Sequence, residues 1–304
     1  MTDLQRLKNL SVPTGSVDVV LDTDAFNEID DQFAIAYLLR SKEKLNTLAL
    51  YAAPFHNPHS EGPKDGMEKS YLEIQKILRF MGETVDVFKG SETYLPDEKT
   101  PVISPAALDL VEKAKNYSTD HPLYVVAIGA ITNVASALLM EPKIADNIVV
   151  VWLGGHGHHF NETYEFNMLQ DVAAARVVMG CGVPFVQLPC CGVVSSFTIS
   201  KPELQYWFLG KSPIANYLAE NTINEVSWEH GEIQFPWTRV IWDVTAVAWL
   251  LNDNNRFMMT RKIATPVPTY DNRYAANPDG HLMEYVYHIH RDALWADVIA
   301  KLTK

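Results

Sequence analysis

Two kinds of apolar run alternate along this chain. Short, β-branched runs of strand length lie at 17–21, 45–53, 85–88, 123–128, 148–153 and 184–188. Between them, apolar residues recur at helical spacing: from Asp30 onward (Phe33, Ile35, Ala36, Leu38, Leu39), and over 67–81, 105–114, 130–140 and 173–179. Pro142 stops the fourth of these helices. The strand runs do not alternate with polar residues, so they predict strands covered on both faces. Strand and helix in turn predict an α/β fold with an open, mostly parallel sheet and helices on both faces. The last third is less regular. It predicts two helices over 201–226 broken at 210–213, a polar-aromatic loop at 227–231, a helix over 243–251, strands at 263–267 and 284–289, and a closing helix over 293–302. No repeat, low-complexity tract or linker interrupts the pattern, so one domain over 1–304 is expected.

Composition narrows the partners. The chain has 304 residues, 47% of them hydrophobic, and a formal net charge of -12. An acidic surface repels phosphate backbones, so nucleic acid is not an expected partner. No run approaches the roughly 18 apolar residues that span a bilayer, so no membrane partner is expected. The opening residues, MTDLQRLKNLSVPTGS, lack the apolar core of a secretory signal. Three cysteines, two of them adjacent (Cys190 and Cys191), do not suggest a disulfide framework. A reduced, cytoplasmic protein with structural thiols is expected.

The chemistry gathers where the first strand ends. Asp22, Asp24, Glu28, Asp30 and Asp31 crowd one strand-to-helix loop. Ligands of open α/β sheets bind beyond the carboxyl ends of strands. Packed carboxylates raise one another's pKa, and a hard cation removes that cost; oxygen ligands suit Ca²⁺ or Mg²⁺. Asp30 and Asp31 alone could be complementing a helix dipole, but that leaves the other three acids unexplained. A haloacid-dehalogenase-type phosphatase also places Asp-x-Asp after its first strand. It would need a later acidic pair, whereas the run at 149–153 ends in Gly154-Gly155-His156.

The acidic loop resembles the opening motif of the inosine-uridine-preferring nucleoside hydrolases, Asp-x-Asp-Pro-Gly-x-Asp-Asp. Here it reads Asp22-Thr23-Asp24-Ala25-Phe26-Asn27-Glu28-Ile29-Asp30-Asp31, two residues longer and without Pro-Gly. Further segments match in order: Asn57; Ile128-Gly129-Ala130-Ile131-Thr132-Asn133; Leu153-Gly154-Gly155; Glu165-Phe166-Asn167 with Asp171; and Trp242-Asp243. The resemblance spans nearly the whole chain. It implies hydrolysis of the N-glycosidic bond of a nucleoside or related riboside, with Ca²⁺ held by Asp24, Asp31, the main-chain carbonyl of Ile128 and Asp243. Asp24 would be the general base, and Asp22 would support the loop from behind. Asp30, Asn57, Asn161, Glu165 and Asn167 would hold the sugar, and Trp242 would face the leaving group. Purine or pyrimidine salvage and a homodimer or homotetramer follow by the same analogy.

The leaving-group side departs from the family pattern. Trp242 stands where the family has a histidine acid, and indole cannot give up a proton. A platform of Trp228, Trp237 and Trp242 could stack the base instead, with Glu229 or His230 as donor. His156, His158 and His159 lie in a glycine-rich loop that is expected to act as a mobile substrate lid. Two alternatives stay open: a different ribosylated substrate, or a ribose-binding relative without turnover.

Overall fold

The computed structural model describes every residue except Glu232 and Gln234. In chain order the strands are β1 (Val17–Thr23), β2 (Leu45–Ala52), β3 (Asp86–Lys89), β4 (Leu123–Ala127), β5 (Ile148–Leu153), β6 (Phe185–Leu188), β7 (Thr198–Ser200), β8 (Thr238–Val240), β9 (Met258–Ala264), β10 (Val267–Thr269), β11 (Arg273–Ala275) and β12 (Leu282–Ile289). The helices are α1 (Asp3–Asn9), α2 (Asp30–Leu39), α3 (Pro63–Met81), α4 (Pro105–Ala114), α5 (Thr132–Met140), α6 (Phe166–Gln170), α7 (Val172–Gly180), α8 (Lys201–Trp207), α9 (Pro213–His230), α10 (Val244–Leu250) and α11 (Arg291–Leu302).

Eight strands form one sheet in the order β3-β2-β1-β4-β5-β6-β12-β9. Every pairing is parallel except that of β12 with β9. The expected open, mostly parallel α/β sheet is what forms. Its central strands are sealed on both faces: β4 and β5 are buried at every residue. That is why their sequences are continuous apolar runs. Two apolar clusters flank the sheet. One packs α2, α3, α10 and α11 residues such as Phe33, Ile74, Trp249 and Trp295. The other packs α4, α5 and α7 residues such as Leu110, Val134 and Val178.

The strand order positions the site. The chain lays β2 and β3 on one side of β1, then returns β4 to the other side. The loops leaving β1 and β4 therefore diverge, and the crevice between them is where ligands of such sheets bind. Asp24 and Ile128 sit just past those two strand ends.

The irregular final third departs from expectation in two places. Residues 227–230 are helical, because α9 runs to His230 and ends at Gly231, whose positive φ of 70° suits glycine. The strand expected at 263–267 is instead the end of β9 and the start of β10, which pairs antiparallel with β11. Partial exposure along β9 and at both ends of the buried stretch of β12 blurs the pattern that marks the central strands.

Candidate active site

The acidic loop folds into a buried cluster. Asp22, Asp24, Asp30, Asp31 and Asp243 are all at most 3% exposed. Oxygen atoms of Asp30, Asp31 and Asp243 lie within 4.8 Å of one another. Asp243 reaches them because α10 packs against α2, bringing the first turns of both helices together. The positive end of α2 offsets part of the repulsion among its own acids. Both carboxylate oxygens of Asp24 and one of Asp22 are buried without a hydrogen bond among the described residues.

Such crowding is costly. Burial raises the Asp24 carboxyl well above the carboxylate range, and the charges of Asp31 and Asp30 push it further. Asp30 and Asp243 are raised well above it too, first by burial and then by their acidic neighbours. Burial pushes Asp22 and Asp31 up to about 7, against hydrogen bonds from Asn133 and Thr23. No lysine or arginine lines the cavity beside them, among the described residues. Buried acids from distant parts of the chain, with orphaned oxygens on Asp22 and Asp24, match the demands of a hard divalent cation.

Local structure holds the cluster in place. Asn133 on α5 donates to Asp22 Oδ1 at 2.7 Å, and its own Oδ1 accepts from Ser91 N at 2.8 Å. The Thr23 hydroxyl donates to Asp31. Gly129 lets the β4 loop approach, since a Cβ there would lie 2.8 Å from Asp24 Oδ1. Asn167 spends both amide hydrogens on the main-chain carbonyls of Ile128 (3.1 Å) and Leu153 (3.0 Å). Its Oδ1 makes no hydrogen bond among the described residues. Glu165 accepts from the amides of Gly155, Asn167 and Met168 at 2.7–2.9 Å. Asp171 caps α7 and accepts from Leu95 N and Thr132, so its role is structural.

A cavity of about 150 Å³ opens over this floor. One water needs only about 10–15 Å³, so the space admits more than solvent. Asp30, Asp243, Ile128 and Asn167 line its floor, and Asn27, Glu28, Trp242, His156, Tyr164, Glu165, Cys190 and Cys191 contribute to its walls; Asp22, Asp24 and Asp31 are not among the lining residues.

Several expected contacts fall elsewhere. Asn57 does not line the cavity. Its amide group donates to Asn27 O (3.1 Å) and Asn27 Oδ1 (2.6 Å), while its own Oδ1 accepts from His59 N (2.8 Å). Asn27, from the longer loop, lines the cavity. Asn161 is exposed, outside the cavity.

Only Trp242 of the three tryptophans reaches the cavity. Trp228 is 61% exposed, its ring 4.4 Å from that of His59. Trp237 packs against the core. Glu229 accepts from Arg239 at 2.6 Å, and the side chain of His230 is 61% exposed; neither lines the cavity. The glycine-rich loop is hydrogen-bonded to β6 and β12. His158 Nε2 meets Gln187 Oε1 at 2.9 Å, its amide donates to Tyr285, and Gln187 donates to Gly154 O at 2.9 Å.

Sequence reasoning missed Asn27, Glu28 and Tyr164 as lining residues. The two extra residues of the acidic loop were the signal for the first two. Cys190 packs in the core as expected, and with Cys191 it also lines the cavity.

Comparison with known proteins agrees with this geometry. The chain is similar to the non-specific ribonucleoside hydrolase RihC of Salmonella paratyphi A (strain ATCC 9150 / SARB42), 27% identical over 229 residues, covering 67% of this chain and 69% of that protein. In fold it is similar to the purine-preferring ribonucleoside hydrolase from Gardnerella vaginalis (TM-score 0.74, 18% identity, 94% of this chain and 98% of that one). It is also similar to type III effector protein XopQ complexed with adenosine diphosphate ribose (TM-score 0.70, 14% identity, 100% of this chain and 99% of that one). The model of the family described as inosine-uridine preferring nucleoside hydrolase matches residues 19–295. With nearly its whole length matched and its acids gathered at the strand ends, this chain belongs to that family of N-glycosyl hydrolases.

Proposed function

We propose that this protein hydrolyses the N-glycosidic bond of a ribonucleoside or related riboside, releasing ribose and the free base, with Ca²⁺ as its cofactor. The observation that carries the reading is the convergence of buried, unneutralised acids from near residues 22–31 and from Asp243 on one crevice. Asp24, Asp31, Asp243 and the Ile128 carbonyl would hold the ion. When bound, Ca²⁺ supplies positive charge that lowers the pKa of a coordinated water.

The remaining chemistry belongs to the chain's own residues. Asp24 has both oxygens free of protein donors, so it can take a proton from the attacking water. Asp30 and Glu165 accept hydrogen bonds from sugar hydroxyls, and so does Asn167 through Oδ1. Those bonds tighten as the sugar flattens toward an oxocarbenium ion, which favours the transition state over the bound substrate. Trp242 gives the departing base an apolar face to stack on. The three free cysteines accord with a reducing, cytoplasmic setting. A homodimer or homotetramer, a role in base salvage and a single domain over 1–304 complete the reading.

A second reading keeps the ion and sugar site but takes another ribosylated compound. Trp242 in place of an acid supports it, as does the fold shared with an effector bound to adenosine diphosphate ribose. The test is to incubate the protein with Ca²⁺ and a nucleoside panel plus p-nitrophenyl riboside, then assay free ribose. Release from natural nucleosides, lost on chelation, supports the first reading. Release from the nitrophenyl compound alone supports the second, because that leaving group needs no proton. Ion binding without release from any riboside overturns both.

A further inference from the structure

The wall facing the leaving group has a feature that neither the ion nor the sugar accounts for. Glu28 occupies the lengthened part of the acidic loop and lines the cavity with Asn27 and Trp242. The loop that carries it is braced. Asn27 N donates to Asp24 O at 2.7 Å, and Gln32 Nε2 donates to the carbonyls of Ala25 (2.7 Å) and Glu28 (3.2 Å). Asn57 clamps Asn27 from the other side.

The carboxylate of Glu28 is also aimed. Arg239 Nη2 holds its Oε2 at 2.9 Å, while Arg239 Nη1 is anchored on Glu229 at 2.6 Å. Arg239 lies on β8, the strand that leads directly into Trp242. Glu28, held by Arg239, and Trp242, two residues beyond β8, both line the cavity. Oε1 of Glu28 accepts no hydrogen bond among the described residues, and 35% of the side chain is accessible. A purely structural ion pair would not need a cavity-lining carboxylate with a spare oxygen.

We propose that Glu28 is a specificity residue that accepts a hydrogen bond from an N–H group on the leaving base, with Arg239 as its positioning residue. The proposal rests on the hydrolase reading above. It predicts preference for bases that present a donor edge over otherwise similar bases that present none. An apolar stacking face such as Trp242 tolerates either, so the discrimination falls to Glu28. A site built to pair with a donor leaves its own acceptor unpaired when the donor is missing.

Two substrate pairs test it, each with and without one ring N–H: inosine against purine riboside, and uridine against 3-methyluridine. kcat/KM is measured with Ca²⁺ for the wild type, Glu28→Ala and Glu28→Gln. Intrinsic differences between the leaving groups cancel when the ratio within a pair is compared across variants. The donor preference should fall by about tenfold or more in Glu28→Ala, the scale of a lost hydrogen bond to a charged group. Glu28→Gln keeps the shape and one acceptor oxygen, so it should lose less. It also serves as the variant if Glu28→Ala does not fold. Ratios that stay within about twofold of wild type in both pairs overturn the proposal, because a structural ion pair would slow both partners equally. A wild type that releases ribose from no compound, p-nitrophenyl riboside included, overturns the hydrolase reading itself.

Discussion

The floor and the walls of the cavity are built by different means. The floor is rigid and over-determined. Asp30 and Asp243 line it, and Asp22, Asp24 and Asp31 are buried with them at strand ends and helix starts, where the sheet and two apolar clusters fix the backbone. The walls come from connections: the lengthened acidic loop, the glycine-rich loop after β5, the turn after β6 and the approach to α10. Chemistry common to every riboside belongs on a surface that cannot shift. Discrimination among leaving groups belongs on loops, which can change length without disturbing the sheet.

The contrast breaks most sharply at the floor. Asp24→Asn keeps the shape and removes the base, so kcat should fall by about 10³-fold, within the usual range for general base catalysis. Steady-state assays with p-nitrophenyl riboside check this, and near-normal turnover would remove Asp24 from the mechanism.

Chelation should turn the floor's stored repulsion into a pH effect. Asp22 and Asp31 have carboxyls pushed up to about 7 by burial in the metal-free fold. A raised acid binds its proton more tightly when folded. Its contribution to stability is therefore full below the unfolded value of about 4 and is lost as pH rises through the folded value. Metal-free protein should melt several degrees lower at about pH 8 than at about pH 5, and added Ca²⁺ should raise the high-pH melting point most. Scanning calorimetry with and without chelator decides; a flat profile would mean the acids are neutralised by something within the chain.

Changes to the walls should be smaller and selective. Trp242→His restores an acid at the leaving-group position. It should raise kcat on natural nucleosides by about tenfold and leave p-nitrophenyl riboside unchanged, since general acid help matters only for poor leaving groups. Equal effects on both would show that position 242 does not face the base. Smallest of all, Tyr274→Phe removes the hydroxyl that accepts from Gln187 Nε2 at 2.8 Å beneath the glycine-rich loop. The expected cost is about 1 kcal/mol by denaturant titration, with substrate preference unaltered. A change in base preference instead would place loop rigidity among the determinants of specificity.

The same division explains what could be read from the chain. The sheet was legible because β4 and β5 are buried on both faces and so must be unbroken apolar runs. The acids of the floor were legible because five carboxylates in one loop have no cheaper explanation than a cation. The walls were not. Asn57 and Asn161 sit in segments that match or approximate the family pattern. Yet the Asn57 side chain is spent on Asn27, and Asn161 is exposed. Whether Trp228, Trp237 and Trp242 converge depends on the end of α9, and its periodicity fades there because Trp228, Glu229 and His230 are all exposed. Loop length and direction are tertiary properties, and side-chain type alone does not encode them.

The distance in sequence between Asp31 and Asp243 has a consequence for biogenesis. A nascent chain emerging from the ribosome carries its acidic loop from the start, but the partner acid arrives only when most of the polypeptide has been made. In the proposed site, no intermediate would own the full set of acids until α10 docks on α2, so cation uptake would follow nearly full synthesis. The ion would then act as a seal on the finished fold: a truncated or misassembled copy would gain none of the stabilisation, and its exposed strands would be left for proteases to clear.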